Sequence, residues 1–144
     1  MQITDLNLKH DKNLVTIDPA AAVSKAAAVL DGHNIGALPV CAPSGNLVGI
    51  ISERDIVRGL SEKGQDVNGL TVADLMTHDV ITCKPGDDVN EIMSVMDERR
   101  IRHIPVIEGS RLSAIVSSRD VMGALLEETK THCETLGLAY EMVR

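Results

Sequence analysis

Apolar positions along the 144 residues switch between alternating and helical spacing, and they do so in the same order twice. The first set predicts a short strand at 15–17 closed by Asp18-Pro19, then a helix over 20–33 with Val23, Ala27 and Leu30 on one face. A β-branched strand at 35–41 follows. The turn Ala42-Pro-Ser-Gly-Asn46 leads to a returning strand at 47–51 and a helix at 53–62. A polar connector at 63–69 separates the sets. The second set begins with one or two helical turns at 72–76 and a strand at 80–83 ending at Lys84-Pro85-Gly86. Val89, Ile92, Met93 and Met96 mark the next helix. Strands at 102–107 and 112–116 flank the tight turn Glu108-Gly-Ser110. A last helix runs from near 118 to 142, with Gly137 as a candidate break. Residues 1–13 read as a polar, mixed lead-in.

The two sets are copies. Laying 15–40 over 81–106 gives 8 identities in 26 positions, among them Thr16/Thr82, Pro19/Pro85 and Pro39/Pro105. With one residue removed at the turn, 47–60 over 112–125 gives 6 in 14, including Ser52/Ser117, Arg54/Arg119 and Asp55/Asp120. A repeat of roughly 66 residues is too long for a usual solenoid period. The expected fold class is therefore α+β, a β-α-β-β-α unit present twice, the pair packed through its sheets. The implied division is a lead-in at 1–13, a first repeat at 14–65, a connector with a short helix at 66–79, a second repeat at 80–128 and a helical extension at 129–144.

The recurring stretch Ser-x-Arg-Asp at each strand-to-helix junction carries the chemistry. Ser52 and Ser117 are placed as N-caps, with Asp55 and Asp120 completing capping boxes. Capping does not account for Arg54 and Arg119. They sit in the first helical turn, where a cation is disfavoured by up to ~1 kcal/mol. An anion at the helix start would explain them, since free N–H groups and a guanidinium would converge on a phosphate. The aspartates would remain as acceptors for neutral hydroxyls such as a ribose diol. A second basic cluster, Arg99-Arg100-Ile-Arg102-His103, precedes an apolar strand. Arg99 and Arg100 suit a solvated helix end, whereas Arg102 and His103 are expected at a cavity mouth. Their first-copy equivalents are Gly36 and Ala37, so two cavities would not be equivalent. Pro39 and Pro105 interrupt their strands' ladders and leave backbone groups for a ligand or an edge.

Composition narrows the classes. Hydrophobic residues make up 44%, yet Phe and Trp are absent and Tyr140 is the only aromatic, so the core is aliphatic. That counts against recognition of single-stranded nucleic acid by base stacking, which needs aromatic platforms. With 14 Lys and Arg against 21 Asp and Glu, the net charge of −7 gives no general attraction for nucleic acid or anionic membrane. No apolar run reaches the ~20 residues of a bilayer span. The first residues lack signal-peptide order, and a cytoplasmic location is expected. Cys41, Cys83 and Cys133 form no Cys-x-x-Cys and are expected as small buried residues; no metal site is expected.

Taken together, Ile35-Gly-Ala-Leu-Pro-Val40 with Leu47-Val-Gly-Ile-Ile-Ser-Glu-Arg-Asp55, repeated as Ile101-Arg-His-Ile-Pro-Val106 with Leu112-Ser-Ala-Ile-Val-Ser-Ser-Arg-Asp120, resemble the tandem cystathionine-β-synthase (CBS) domain pair, or Bateman module. Val72-Ala-Asp-Leu-Met76 before the second copy fits it too. The resemblance implies a regulatory module for adenosine-containing ligands: AMP, ADP or ATP, with NAD and S-adenosylmethionine as alternatives. It implies clefts shared between copies. Cleft A would combine Ser52, Arg54 and Asp55 with Thr82, Arg102, His103, Ile104 and Pro105. Cleft B would combine Ser117, Arg119 and Asp120 with Thr16, Gly36, Ala37, Leu38 and Pro39. The aspartates would hold ribose hydroxyls, Thr and Ser ribose or phosphate, and the basic residues phosphate. The family's usual glycine in the strand stands as Gly49 but as Ala114 in the second copy. The added methyl is expected to narrow cleft B and make cleft A the better site.

The resemblance also implies a homodimer, a disc of four repeats joined by helices. The Ala- and Met-rich helix faces around 26–29 and 93–96 suit that packing, or internal core. With no catalytic or transport domain in this sequence, output would pass to a separate regulated protein or through self-association. An enzyme acting on nucleotides lacks a carboxylate cluster or nucleophile–base pair here, with His103 as the sole acid–base candidate. An adaptor with vestigial clefts remains the third reading.

Overall fold

The computed structural model describes residues 1–8 and 14–143; the rest of the expected lead-in, 9–13, lies outside the described residues. The first repeat contains α1 (Val23–His33), β1 (Ala37–Cys41), β2 (Leu47–Ser52) and α2 (Glu53–Lys63). The polar connector winds into a 3-10 segment, Gly64–Gly69, and the short helix α3 (Val72–Leu75). The second repeat contains α4 (Val89–Arg99), β3 (His103–Glu108), β4 (Arg111–Ser117) and α5 (Ser118–Val143). On α1 the buried stripe is Val23, Ala26 and Leu30, so Ala26 takes the inward place expected of Ala27, which is exposed.

Each repeat holds an antiparallel hairpin, β1–β2 and β3–β4, and each hairpin pairs a strand start with the helix-capping serine, Ala37 with Ser52 and His103 with Ser117. The strands expected at 15–17 and 80–83 shrink to one-residue parallel bridges, Ile17 to Val40 and Cys83 to Val106. Proline explains the shortfall. Ile17 N–H donates to the Pro39 carbonyl (3.1 Å) and Cys41 N–H to the Ile17 carbonyl (3.0 Å). The next rung on either side needs an N–H from Pro39 or Pro19, and proline has none. Pro105 and Pro85 stop the Cys83 bridge in the same way.

Buried residues fall into two cores. Ile17, Ala26, Leu30, Leu38, Val40, Ile51 and Val72 form the first. Cys83, Val89, Ile92, Met96, Ile104, Val106, Ala114, Val116 and Val121 form the second, together with Ile3, Leu6 and Leu8. Those last three lie in what reads as a polar lead-in, where the structure places a 3-10 turn, Ile3–Asp5. Its docking is matched in the first half. Ile3 N–H donates to the Asp87 carbonyl (2.9 Å) and Val89 N–H to the Met1 carbonyl (3.0 Å). Likewise Val72 N–H donates to the Ala21 carbonyl (2.8 Å) and Val23 N–H to the Leu70 carbonyl (3.2 Å). The segment ahead of each repeat is thus docked on the other repeat, in pseudo-two-fold fashion.

The helix faces around 26–29 and 93–96 turn inward: Ala26 and Met96 are buried, and Val29, Met93 and Val95 pack on the cores. The large apolar side chains left exposed on the helices lie instead on α2, at Val57 and Leu60, and along α5, at Met122, Leu126, Leu136, Leu138 and Met142. Helix α5 passes through Gly137 without a break. Among the described residues no helix is long and apolar enough to cross a membrane.

Gly123, inside α5, has open space where a side chain would start. Gly123→Ala is therefore expected to raise stability by about 0.5–1 kcal/mol through helix propensity, read as a higher denaturation midpoint. An unchanged or lower midpoint would contradict a continuous helix there.

Candidate functional site

The two Ser-x-Arg-Asp sequences fold as reciprocal capping boxes. Ser52 donates to Asp55 Oδ2 from its backbone N–H (2.9 Å) and its hydroxyl (3.0 Å), and Asp55 N–H donates back to Ser52 Oγ (3.3 Å). The second copy repeats this, Ser117 N–H and Oγ–H to Asp120 Oδ2 at 2.8 Å each and Asp120 N–H to Ser117 Oγ at 3.2 Å. One carboxylate oxygen of each aspartate is committed to the cap. At Asp55, whose side chain is 12% exposed, the other oxygen lies 4.0 Å from Arg58 Nη1. Asp120 is exposed, and the Arg58 position is Gly123 in its copy. The two aspartates are therefore presented differently: one is enclosed and cation-flanked, the other open.

Arg54, Arg102 and Arg119 are exposed, and none makes an ion pair among the described residues. Carboxylates outnumber basic groups in this chain, so the lack of a partner matters. The cations stand at the first turns of α2 and α5 and at the entry to β3, where partial positive charge at the helix starts already disfavours them. Arg99 closes α4, and Arg100 follows as its left-handed C-cap (φ +55°), matching Asn34 (φ +52°) after α1. These two basic residues belong to the helix end.

The clearest contact across the repeats is made by His103. Its Cε1 lies 3.2 Å from the point a Cβ on Gly36 would occupy, and Glu53 Oε2 lies 3.8 Å from the same point. Burial holds the imidazole below the ordinary histidine range; the Asp120 and Glu53 carboxylates oppose that and Arg102 adds to it. His103, expected in cleft A, thus gathers at one seam with Gly36 and Asp120, both expected in cleft B. Glu53 N–H donates to the Gly36 carbonyl (3.0 Å) and Ser118 N–H to the Arg102 carbonyl (2.8 Å), fixing both helix starts to the facing strand entries.

Other expected residues are placed differently. The side chains of Ala37, Leu38, Pro39, Ile104 and Pro105 are buried in the cores, so only their backbone is open to a ligand. Thr16 and Thr82 are exposed beside the bridges. The carbonyls of Val15 and Ile81, just ahead of them, have no backbone partner among the described residues, because Pro39 and Pro105 offer no N–H. Gly49 does not face a cleft: an added Cβ would sit 2.6 Å from Met76 Sδ and 2.9 Å from the Thr77 carbonyl. Ala114, its counterpart, is fully buried in the second core, so its methyl does not narrow a cleft as expected.

Sequence reasoning did not single out Glu53 or Arg58. Arg58 had a signal, the i,i+3 spacing from Asp55; Glu53 had none, since it looks like an ordinary first-turn acid. Burial pushes the Cys83 thiol up to about 12, with Asp87 adding to the shift, and burial raises Cys41 as well. Cys133 is exposed rather than buried as expected. Among the described residues no cluster of three or more His, Cys, Asp or Glu could hold a metal ion. A groove of about 560 Å³ between the N-terminal turn and α5 is lined by Met1, Asp5, Ala124, Glu127, Glu128 and His132, and its three carboxylates suit it poorly to phosphate.

The CBS domain profile matches this chain twice, at residues 3–62 and 72–127. Hypoxic response protein 1 of Mycobacterium tuberculosis is 32% identical over 123 residues, covering 81% of this chain and 85% of that protein. The crystal structure of the CBS-domain containing protein ATU1752 from Agrobacterium tumefaciens superposes with a TM-score of 0.80 at 32% identity, over 86% of this chain and 98% of that one. The CBS domain pair of protein MJ0100, in complex with 5′-methylthioadenosine and S-adenosyl-L-methionine, gives a TM-score of 0.78 at 29% identity, over 89% of this chain and 98% of that one. With both repeats matched and the paired architecture shared, the chain belongs to the CBS-domain family as a tandem pair.

Proposed function

We propose that this chain is a regulatory module that binds a phosphate-bearing adenosine nucleotide of the AMP, ADP or ATP type without turning it over, and signals through a change in conformation or association. The supporting observation is the set of exposed arginines, Arg54, Arg119 and Arg102, with no ion pair among the described residues, at two helix starts and a strand entry in an otherwise acidic chain. Phosphate oxygens are the natural partners of such groups. Asp55 and Asp120 each keep one carboxylate oxygen outside the cap for ribose hydroxyls. The backbone carbonyls of Val15 and Ile81, with no backbone partner among the described residues, would accept from a base. Adenosine as the common moiety is supported by the MJ0100 domain pair, bound to two adenosyl compounds.

That same relative supports a second reading, S-adenosylmethionine as ligand. The arginines favour the nucleotide, because S-adenosylmethionine offers them one carboxylate outweighed by its own sulfonium and ammonium charges, whereas AMP brings a phosphate and no cation. NAD would satisfy both the arginines and the adenosine requirement. The module acts in the cytoplasm, as a homodimer that associates through the exposed apolar positions Val57 and Leu60 on α2 and Met122 and Leu126 on α5. It passes its state to a separate protein.

Titration of AMP into the wild type, Asp55→Ala and Asp120→Ala tests the reading, with S-adenosylmethionine and NAD in parallel. Cleft A, with Arg54, Arg102 and the enclosed Asp55, is expected to dominate. Asp55→Ala should weaken AMP about 10- to 100-fold, the worth of a charge-assisted hydrogen bond of ~1.5–3 kcal/mol. A larger loss from Asp120→Ala would reverse the ranking of the clefts. Absence of any thermal shift at saturating AMP, where about 2.7 kcal/mol is expected at 100-fold over Kd, would reject the nucleotide reading and leave the adaptor role.

A further inference from the structure

His103 breaks the pseudo-symmetry of the pair at the place where the repeats meet. Its counterpart in the first repeat is Ala37, which has no polar side chain. One imidazole therefore serves the seam alone. It starts β3, pairs in register with Ser117 of its own hairpin and lies against Gly36 of the other repeat. The charged groups acting on it come from each element around it: Glu53 from the first turn of α2, Asp120 from the first turn of α5, and Arg102 beside it in sequence. Neither carboxylate forms an ion pair with it within 4.0 Å. It is a half-buried, neutral-leaning base between the starts of the two helices that carry Arg54 and Arg119.

We propose that His103 takes up a proton when a phosphate-bearing ligand binds between the repeats, so that nucleotide occupancy and pH are linked. This rests on the nucleotide reading above. In the ligand-free protein burial disfavours the imidazolium. A dianionic phosphate arriving beside Arg102 and the starts of α2 and α5 supplies the charge that favours it. Because the bound-state pKa lies above the free-state pKa, affinity rises as pH falls through the bound-state value and levels off below the free-state value. The free protein behaves oppositely. Its histidine pKa lies below the unfolded value, so the folded state binds fewer protons, and acidification below the ordinary histidine range weakens the fold.

The test uses the whole chain and AMP. Calorimetric titrations at pH 7 in two buffers of different ionisation enthalpy, PIPES and Tris, give the protons taken up per AMP. Comparing wild type with His103→Gln subtracts the proton carried by the AMP phosphate itself. Wild type is expected to take up a measurable fraction of a proton more than the variant per AMP bound, each protein being titrated to saturation because the variant binds more weakly. In parallel, the His103 ring resonance of the wild type, followed by NMR across pH, should shift its midpoint upward by about one unit on saturation with AMP, a tenfold change in proton affinity. Equal proton uptake in the two proteins, or an unmoved midpoint with AMP bound, overturns the linkage while leaving the nucleotide reading standing. No binding heat in either protein removes both.

Discussion

Ile3→Ala is expected to lower the stability of the whole fold by about 2–5 kcal/mol, the usual cost of emptying a large aliphatic site in a core. Ile3 is 1% exposed and ranks among the largest fully buried side chains. It packs with Leu6 and Leu8 against residues of the second repeat, while its backbone N–H is bonded to the Asp87 carbonyl. A denaturant or thermal melt checks this, each kcal/mol appearing as roughly 2–4 °C for a chain of this size. The first repeat and the second should melt together, because the lost side chain belongs in sequence to one and in space to the other. A cost under about 0.5 kcal/mol, the level of an ordinary surface change, would show that the N-terminal turn does not stay docked.

Gly49→Ala is the second large effect, expected at about 1–3 kcal/mol from overpacking. Glycine in a strand usually marks a close approach of another backbone, and here the approaching segment is the connector. Thr77 N–H donates to the Ile50 carbonyl (2.8 Å) and Ile50 N–H to the Thr77 carbonyl (3.1 Å), which pins that carbonyl over Gly49. Met76 can swing its sulfur away from a new methyl, but Thr77 can move only by giving up that pair of bonds. Gly49→Ala combined with Met76→Ala should therefore recover little. Full recovery in the double variant would mean that the methionine, not the backbone, sets the constraint. Gly59 reports the same docking from α2, where an added Cβ would meet Leu75 at 2.7 Å.

The two predictions mark what the sequence left unread. Helices, hairpins and caps were legible because each depends on residues close in sequence: apolar spacing in α1 and α4, Gly109 with its positive φ (+68°) in the second hairpin turn, and Ser52 with Asp55 three residues on. The internal repeat was legible because 47–60 and 112–125 keep their chemistry. The crossed docking was not. Gln2-Ile-Thr-Asp-Leu6 and Thr71-Val-Ala-Asp-Leu75 share an aspartate and a leucine at matching places, but five residues with two identities do not rise above chance. The short strands failed for a different reason. Val15 and Val80 have strand propensity, and it was one proline of each partner strand, Pro39 or Pro105, with one just past each short segment, Pro19 or Pro85, that limited each ladder to one rung.

At the candidate site the capping boxes and the exposed arginines follow from local pattern. The meeting of His103 with Gly36, Glu53 and Asp120 does not, because it joins residues from both repeats. The identity of Gly36 matters there through what it lacks: a side chain would occupy the space into which His103 projects.

The exchange of leading segments also sets an order of events during synthesis. Ile3, Leu6 and Leu8 precede every other residue of their core, and the partners they bury against, from Cys83 to Val121, are made last. While the first repeat emerges from the ribosome, these apolar side chains have no native surface to cover them. The first repeat itself waits only for Val72 and its neighbours, a short extension beyond its own end. The nascent chain therefore closes its first core early and carries these three apolar side chains uncovered until the second repeat is complete, the stage at which exposed apolar surface favours misassembly.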